Sequence, residues 1–242
     1  MGIYRGEKSI AVMFEMMLAQ LRAHPFFATQ EILTCVAMPH QGYCNLNYLV
    51  STKKTRYIAR KLLREDIDRE QEWHILQKVY QAELTAEPLV FDREQGFMVF
   101  AFIEGEHKTE LGEDELKQLA QVLQKVHAIP CELEPMVLEL ETQTNTIKEA
   151  LATIAKYPKA YALCHNDLNR FNVLFSDKVK LIDWEYAGMN DRYFDLASVC
   201  VEFGLDETQQ TLFMGYYGET PYEQTKLQAY MTLYSALCTQ WF

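Results

Sequence analysis

A polar stretch in the C-terminal half of this 242-residue chain combines residue types and spacings that suit phosphoryl transfer. Asp167 lies five residues before Asn172, and Asp183 follows that asparagine after eleven residues, directly behind two apolar residues. Transfer of a phosphoryl group from ATP needs a carboxylate beside the acceptor hydroxyl and oxygen ligands that hold Mg²⁺ against the phosphates. The spacing therefore predicts Asp167 as the catalytic base and Asn172 and Asp183 as magnesium ligands, with one or two ions left open.

His165 precedes the predicted base by two residues. An imidazole at this position is expected to hold the catalytic loop through backbone hydrogen bonds, and we group it with Asp167 as a catalytic residue. Taken singly, an Asp or Asn in a short turn usually caps that turn. The occurrence of all of these residues at kinase spacing favours the catalytic interpretation.

The net charge of −11 argues against a nucleic-acid-binding protein. The charge is unevenly distributed: residues 1–104 carry 12 Lys and Arg against 13 Asp and Glu, whereas residues 105–242 carry 11 against 21. Two interpretations stay open. The acidic half is either an ordinary solvated surface or a region that attracts a small cationic substrate.

The six cysteines form no Cys-x-x-Cys pair and have no histidine at zinc spacing. Without a secretory signal, the sequence predicts a cytoplasmic protein with reduced thiols. The apolar stretch at 10–21 contains Glu15 and is too short to span a membrane, so an amphipathic helix is expected there. The sequence does not indicate an oligomeric state.

Hydrophobic periodicity predicts an α+β fold with two lobes. The first lobe, 1–104, should bind ATP, with helices at 8–22 and 64–80 and strands at 31–37, 47–51, 56–62, 89–91 and 97–102. This order is that of a kinase N-terminal lobe. The second lobe, 105–242, should carry catalysis and the substrate, with helices at 114–127, 142–156 and toward 242, and a hairpin at 173–175 and 180–182. A hinge is expected at Glu104 and Gly105, and Glu104 is assigned to the nucleotide site.

Arg60 lies on the strand where a protein kinase carries its phosphate-binding lysine, and a guanidinium there can hold two phosphates. Lys61 is the alternative, because strand alternation lets one of the two face the cleft. Glu72, twelve residues after Arg60, could pair with it. The loop at 41–48 occupies the place of a phosphate-covering loop, where Gly42 permits close approach and Asn45 offers a donor. A plain hairpin turn explains that loop nearly as well.

Aromatic side chains next to carboxylates suit the binding of an organic cation. We therefore assign Trp184, Glu185, Tyr186 and Trp241 to the substrate site, although most aromatic residues of this half should belong to the core. Asp195, before an apolar helix, is expected to cap that helix or to tie the catalytic loop through its backbone amides.

Several stretches of the sequence resemble the choline kinase family, in particular the bacterial choline and ethanolamine kinases among the aminoglycoside phosphotransferase-like kinases. They are Asn-Leu-Asn-Tyr at 45–48, Ile-Asp-Arg-Glu-Gln-Glu at 67–72, Phe-Ile-Glu-Gly at 102–105, His-Asn-Asp at 165–167 with Asn172, Leu-Ile-Asp-Trp-Glu-Tyr at 181–186, and Asn-Asp at 190–191 with Phe-Asp-Leu-Ala at 194–197. The resemblance implies a protein-kinase-like fold, Asp167 as base, Asn172 and Asp183 as metal ligands, and Arg60 with Glu72 as the phosphate clamp. On the late helix the family carries two tryptophans three residues apart; this chain has Cys238 and Trp241 at those positions.

The resemblance implies ATP-dependent phosphorylation of a small cationic alcohol, with ATP and Mg²⁺ as cofactors and choline as the leading substrate. Thiamine is an alternative that would exploit the same acidic half. An aminoglycoside is a third, which the Ile-Asp-Trp-Glu-Tyr motif disfavours. A catalytically silent nucleotide-binding regulator on the same scaffold is a fourth.

Overall fold

The computed structural model describes residues 7–39, 41, 44–137, 140 and 144–241. The chain folds into two compact units, Met1–Asp68 with Ala86–Ile103, and Arg69–Thr85 with Glu104–Phe242. The predicted lobes, 1–104 and 105–242, stay a prediction. No helix of the described part of the chain combines the length and apolar character needed to cross a bilayer.

An antiparallel sheet forms most of the first unit. Its strands are β1 (Ile32–Ala37), β2 (Asn45–Thr52), β3 (Arg56–Leu62), β4 (Pro88–Asp92) and β5 (Phe97–Ala101), in the order β1-β2-β3-β5-β4. Tyr48 and Val50 of β2 and Tyr57 and Ala59 of β3 are buried at alternate positions, because a pleated strand turns successive side chains to opposite faces. In β5, residues 97–100 are all buried. Helix α1 (Glu7–Ala23) places Met17 and Leu21 in this core.

Six helices and two short strand pairs form the second unit. The helices are α2 (Arg69–Gln81), α3 (Glu113–His127), α4 (Asn145–Ile154), α5 (Tyr193–Glu202), α6 (Glu207–Tyr217) and α7 (Gln224–Trp241). Strand β6 (Tyr161–Cys164) pairs with β9 (Gly188–Asp191), and β7 (Val173–Leu174) pairs with β8 (Lys180–Leu181). The β6–β9 and β7–β8 pairs hold the ends of the two loops that contain Asp167 and Asp183.

Most predicted elements are present, and the α+β class is confirmed. The helix expected at 64–80 begins instead at Arg69. Arg64 bonds to Asp66 two residues away, a contact that a continuous helix does not allow because side chains at that spacing point in different directions. The helix expected at 142–156 begins at Asn145, where the Thr144 hydroxyl accepts the Ile147 N–H; residues 142 and 143 lie outside the described residues. Strands β6 and β9 were not predicted, because four residues are too few for a clear alternation.

Gly105 follows the last strand of the first unit and lies against the catalytic half. A backbone bridge joins Glu106 to Phe175, and a Cβ atom at residue 105 would lie 3.1 Å from both the Leu174 Cβ and the Phe175 carbonyl oxygen. A side chain at this position would push the two segments apart. Glycine is therefore required here by close backbone approach.

Candidate active site

The loop between β6 and β7 fixes the Asp167 carboxylate through two asparagine side chains. The Asn172 amide donates to Oδ2 of Asp167 and to its backbone oxygen, both at 2.9 Å, and the Asn169 amide donates to Oδ1 at 3.2 Å. Asn169 also begins the 3₁₀ turn Arg170–Asn172 by accepting the Phe171 N–H. Both carboxylate oxygens are thus oriented before any substrate arrives.

Burial raises the pKa of the Asp167 carboxyl. His165 opposes this rise in pKa, the negative charge of Asp183 adds to it, and hydrogen bonds from Asn169 and Asn172 lower the pKa again. The negative charge of Asp183 therefore acts on the Asp167 carboxyl. A bound divalent cation would stabilise two acidic groups that repel each other in this way.

Asp183 lies at the start of the second loop, two residues after the end of β8. The Ile182 N–H donates to the Asn172 carbonyl at 2.9 Å and thereby ties this loop to the first one. Asp183 adopts a left-handed backbone with φ of 66°, and Asn166 in the first loop does so with φ of 65°. Asp and Asn tolerate this conformation better than other residues with a side chain. Both positions therefore favour the residue types that the sequence provides.

Asp195 holds the backbone of the catalytic loop, as predicted. Its Oδ2 accepts the His165 N–H at 2.8 Å, and its Oδ1 accepts the Asn166 N–H at 2.9 Å. Behind it, the His127 Nε2 lies 3.1 Å from the same carboxylate, and the other imidazole nitrogen lies 2.7 Å from the Tyr217 hydroxyl. The fully buried carboxylate of Asp195 thus connects α3, α5 and the loop.

Replacing Asp195 by alanine is expected to lower the free energy of unfolding by about 3 kcal/mol, because two buried N–H groups lose their acceptor. Urea denaturation measures this loss. Asp177→Ala, in the exposed turn between β7 and β8, is the matched control and should change stability by less than about 0.5 kcal/mol. Equal stability of the two variants would contradict the structural role of Asp195.

His165 and Trp184 form the floor of the site. The His165 Nε2 lies 2.9 Å from the Ile182 carbonyl oxygen, and its ring centroid is 4.6 Å from that of Trp184. Trp184 is fully buried, and its indole N–H faces the Thr85 hydroxyl and the Leu181 carbonyl oxygen. The tryptophan supports His165 from behind, so the structure gives no support for direct substrate contact by Trp184.

Glu185 and Tyr186, the two residues after Trp184, contact different partners. The guanidinium of Arg69 lies 3.1 Å from the Glu185 carboxylate and 2.7 Å from that of Glu72, whose side chain is fully buried. The Tyr186 carbonyl oxygen accepts the Asn166 amide at 3.0 Å. Arg69 therefore joins α2 to the second loop, a link that the sequence interpretation did not include; the pairing of Glu72 with Arg60 stays a prediction.

The predicted nucleotide-binding residues of the first unit lie on β2 and β3. Arg60 is buried; its Nε donates to the Asn47 side chain at 3.2 Å, and its guanidinium carbon lies 5.3 Å from the centre of the Phe100 ring. Lys61 bonds to the Gln95 carbonyl oxygen. Asn45 is buried on β2, and Glu104 is exposed at the start of the second segment of the other unit. Gly42 and the Trp241 side chain lie outside the described residues.

Helices α5 and α7 bring residues to the site that sequence reasoning did not assign. The Tyr234 hydroxyl donates to Oε1 of Glu202 at 3.0 Å. Burial raises the pKa of Tyr234, and the charges of Glu202, Cys238 and Asp167 raise this pKa further. Tyr234 therefore lies within electrostatic reach of both Glu202 and the predicted base. Glu202 follows Asp195 by two helical turns and Cys238 follows Tyr234 by one, so each pair shares a helix face, but this spacing does not show that the two faces meet.

A cavity of about 460 Å³ lies beside this cluster. Its lining combines charged, neutral polar and apolar side chains: Glu110, Leu111, Arg170, Glu202, Phe203 and Gln209. This volume falls in the range of small-molecule sites. Arg170 and Glu202 belong both to the cavity wall and to the surroundings of the catalytic loop.

The sheet of the first unit, and the two loops of the helical unit with their Asp167 and Asp183, define a protein-kinase-like fold. The chain belongs to the choline/ethanolamine kinase family, whose family model matches residues 105–237. The resemblance drawn from the motifs is thereby confirmed.

Solved and curated relatives agree with this assignment. The crystal structure of the choline kinase LicA from Streptococcus pneumoniae matches with a TM-score of 0.77 and 21% identity, covering 97% of this chain and 90% of that one. A LicA homologue of Metamycoplasma hominis is 40% identical over 78 residues, which are 32% of this chain and 31% of that protein. LicA of Haemophilus influenzae is 41% identical over 68 residues, 27% of this chain and 26% of that protein. The match thus spans less than a third of the length of these two curated relatives.

Proposed function

We propose that this protein transfers the γ-phosphoryl group of ATP to the hydroxyl group of a small cationic alcohol, and that choline is its substrate. The observation that carries the proposal is the contact of Glu202 with both the catalytic loop, through the Arg170 N–H, and the Tyr234 hydroxyl. It supports a site in which Asp167 acts on the hydroxyl while a carboxylate and an aromatic ring bind the cation. Membership of the choline/ethanolamine kinase family supports the same chemistry.

In this proposal, Asp167 orients the acceptor hydroxyl and takes its proton as the bond to phosphorus forms. Its oxygens each accept an amide hydrogen bond, and each retains a further lone pair for the hydroxyl. The transition state of phosphoryl transfer is loose, so positioning of the hydroxyl matters more than early proton removal. His165 acts by holding the loop against the Ile182 carbonyl oxygen.

The donor set beside Asp167 fits Mg²⁺. The Asn172 amide nitrogen is committed to Asp167, which leaves its Oδ1 as the atom able to bind a cation, and Asp183 supplies a carboxylate. Hard oxygen ligands of this kind suit Mg²⁺ and not the softer metals. When bound, the ion neutralises charge that develops on the phosphates.

The nucleotide-binding residues of the first unit are proposed from their positions. Arg60 would hold the phosphates of ATP, and Asn45 with Gly42 would cover them. Glu104 would contribute at the hinge. The buried guanidinium of Arg60, held by Asn47, supports its choice over Lys61, which is committed to Gln95.

The cationic end of the substrate is proposed to bind Glu202 beside the Tyr234 ring. Contact of Glu185, Tyr186 and Trp241 with the substrate stays a prediction from the sequence. The excess of acidic residues in 105–242 would draw a cation toward this half. Release of ADP measured with choline, ethanolamine, thiamine and kanamycin tests the choice of substrate. Choline is expected to give the highest kcat/KM, and turnover confined to thiamine or kanamycin would overturn it.

Replacing Glu202 by glutamine should raise the KM for choline by about tenfold to a hundredfold, with a smaller effect on kcat, because a partly shielded charge partner of the cation is lost. Steady-state kinetics measure both constants. Glu83→Gln removes the same charge from an exposed surface pair with Lys178 and is the matched control. An unchanged KM for Glu202→Gln would exclude this carboxylate as the cation site.

A further inference from the structure

Two hydrogen-bond donors orient the Glu202 carboxylate, and the Arg170 guanidinium contacts it at a longer distance. Its Oε1 accepts the Tyr234 hydroxyl at 3.0 Å, and its Oε2 accepts the backbone N–H of Arg170 at 3.3 Å. The Arg170 guanidinium approaches through Nε, which lies 3.9 Å from the same Oε2. This last distance is too long for a hydrogen bond. The carboxylate would therefore keep its orientation if the guanidinium moved away.

The two members of this ion pair differ in exposure. The Arg170 side chain is 39% exposed, whereas that of Glu202 is 17% exposed. Both line the cavity of about 460 Å³ beside the catalytic loop. A long, half-exposed arginine can turn into solvent, while the shielded carboxylate stays. In this arrangement, the cation beside the Glu202 carboxylate is a side chain of the protein itself, that of Arg170.

We propose that Arg170 is a specificity-determining residue that competes with the cationic end of the substrate for Glu202. This inference rests on the proposed function. Binding of a quaternary ammonium or ammonium group then requires the guanidinium to leave Oε2, and the affinity for the cation is lowered by that exchange. A substrate without a positive charge cannot replace the guanidinium and gains nothing from displacing it.

The position of Arg170 explains why the competition affects binding more than chemistry. Arg170 lies three residues after Asp167, and its backbone N–H anchors Glu202 to the catalytic loop. That anchor does not depend on the side chain. Substitution of Arg170 therefore removes the competing charge and keeps the backbone hydrogen bond.

The test compares Arg170→Gln, Arg170→Lys and wild type by steady-state kinetics with choline and with its neutral isostere 3,3-dimethylbutan-1-ol. Arg170→Gln is expected to lower the KM for choline about fivefold, with a smaller change in kcat and little change in the KM for the neutral alcohol. Arg170→Lys keeps a competing charge and should stay near wild type. Lys178→Gln removes one positive charge from an exposed pair with Glu83 and is the charge-matched control.

The outcomes separate the inference from the proposed function. If wild type phosphorylates choline and Arg170→Gln has an unchanged or higher KM for choline, the proposed competition is contradicted, whereas the proposed function is not. A similar drop in KM for the neutral alcohol, or for Lys178→Gln, also overturns it, because the effect would not depend on charge at Glu202. If neither wild type nor Arg170→Gln acts on any cationic alcohol, the proposed function fails and the inference fails with it.

Discussion

Replacing Asp167 by asparagine is expected to lower kcat by about 10²- to 10⁴-fold, the range that a positioned general base contributes. The asparagine side chain has the same size and can accept one of the two amide hydrogen bonds that Asn169 and Asn172 donate to Asp167, but it cannot take the hydroxyl proton. ADP release at saturating ATP and choline measures the loss. Asp177→Asn, in the exposed turn after β7, is the matched control and should retain wild-type turnover.

The Asp167→Asn variant should stay folded with a stability near that of wild type, because the loss of one amide hydrogen bond is offset by the removal of a buried charge. Burial raises the pKa of Asp167, so the folded protein disfavours the charge that this substitution removes. Thermal unfolding and nucleotide binding then show that lost turnover does not come from a lost fold. Turnover comparable to wild type would exclude Asp167 as the base.

Replacing Asp183 by asparagine is the second change with a large expected effect. Exchange of an anionic oxygen ligand for a neutral amide should lower kcat by about a hundredfold or more and raise the Mg²⁺ concentration needed for half-maximal rate. Asparagine is the appropriate substitution because it tolerates the left-handed backbone at φ of 66°, whereas alanine would add strain. A magnesium titration of ADP release separates weaker metal binding from unfolding.

The dependence on magnesium is the decisive part of that experiment. If Asp183→Asn reduced the rate with an unchanged magnesium requirement, Asp183 would support the loop without binding the metal. Asn169→Ala serves as the comparison, because Asn169 contacts Asp167 and is not a proposed ligand. Its rate should fall with no change in the magnesium concentration at half-maximal rate.

The sequence located the centre of the candidate site because its residues are local. Asp167 and Asn172 lie in one short loop and Asp183 in the next, and the β7–β8 hairpin between them brings the loops together. The spacing of these residues along the chain is therefore enough to predict that they lie near one another. Asp195 was expected before an apolar helix, either as its cap or as a tie to the loop amides. It lies instead in the first turn of α5, and of the two expected roles the contact with the loop amides is present.

The sequence could not locate residues that tertiary packing brings to the site. Glu202 ends α5 and Tyr234 lies on α7, and their approach depends on how these helices pack. Trp184 shows the reverse case, because an aromatic residue next to a motif can face the core as well as a ligand. Its complete burial behind His165 is a property of the fold that composition does not encode.

The start of α2 was mispredicted for a local reason. Arg64 and Asp66 have helix-compatible neighbours, but their side chains bond to each other and the helix begins only at Arg69. Arg69 lies between Glu72 and Glu185, which are far apart in sequence. The sequence alone does not reveal this charge pairing, because it depends on how α2 packs against the second loop.

The central claim is tested most directly by ³¹P NMR of the product formed from choline, ATP and Mg²⁺ by wild type and by Asp167→Asn. The account predicts a phosphomonoester resonance that grows in step with ADP for the wild-type protein and is reduced at least about a hundredfold in rate for the variant. ADP formation without a phosphomonoester of choline, or equal rates for both proteins, would contradict it.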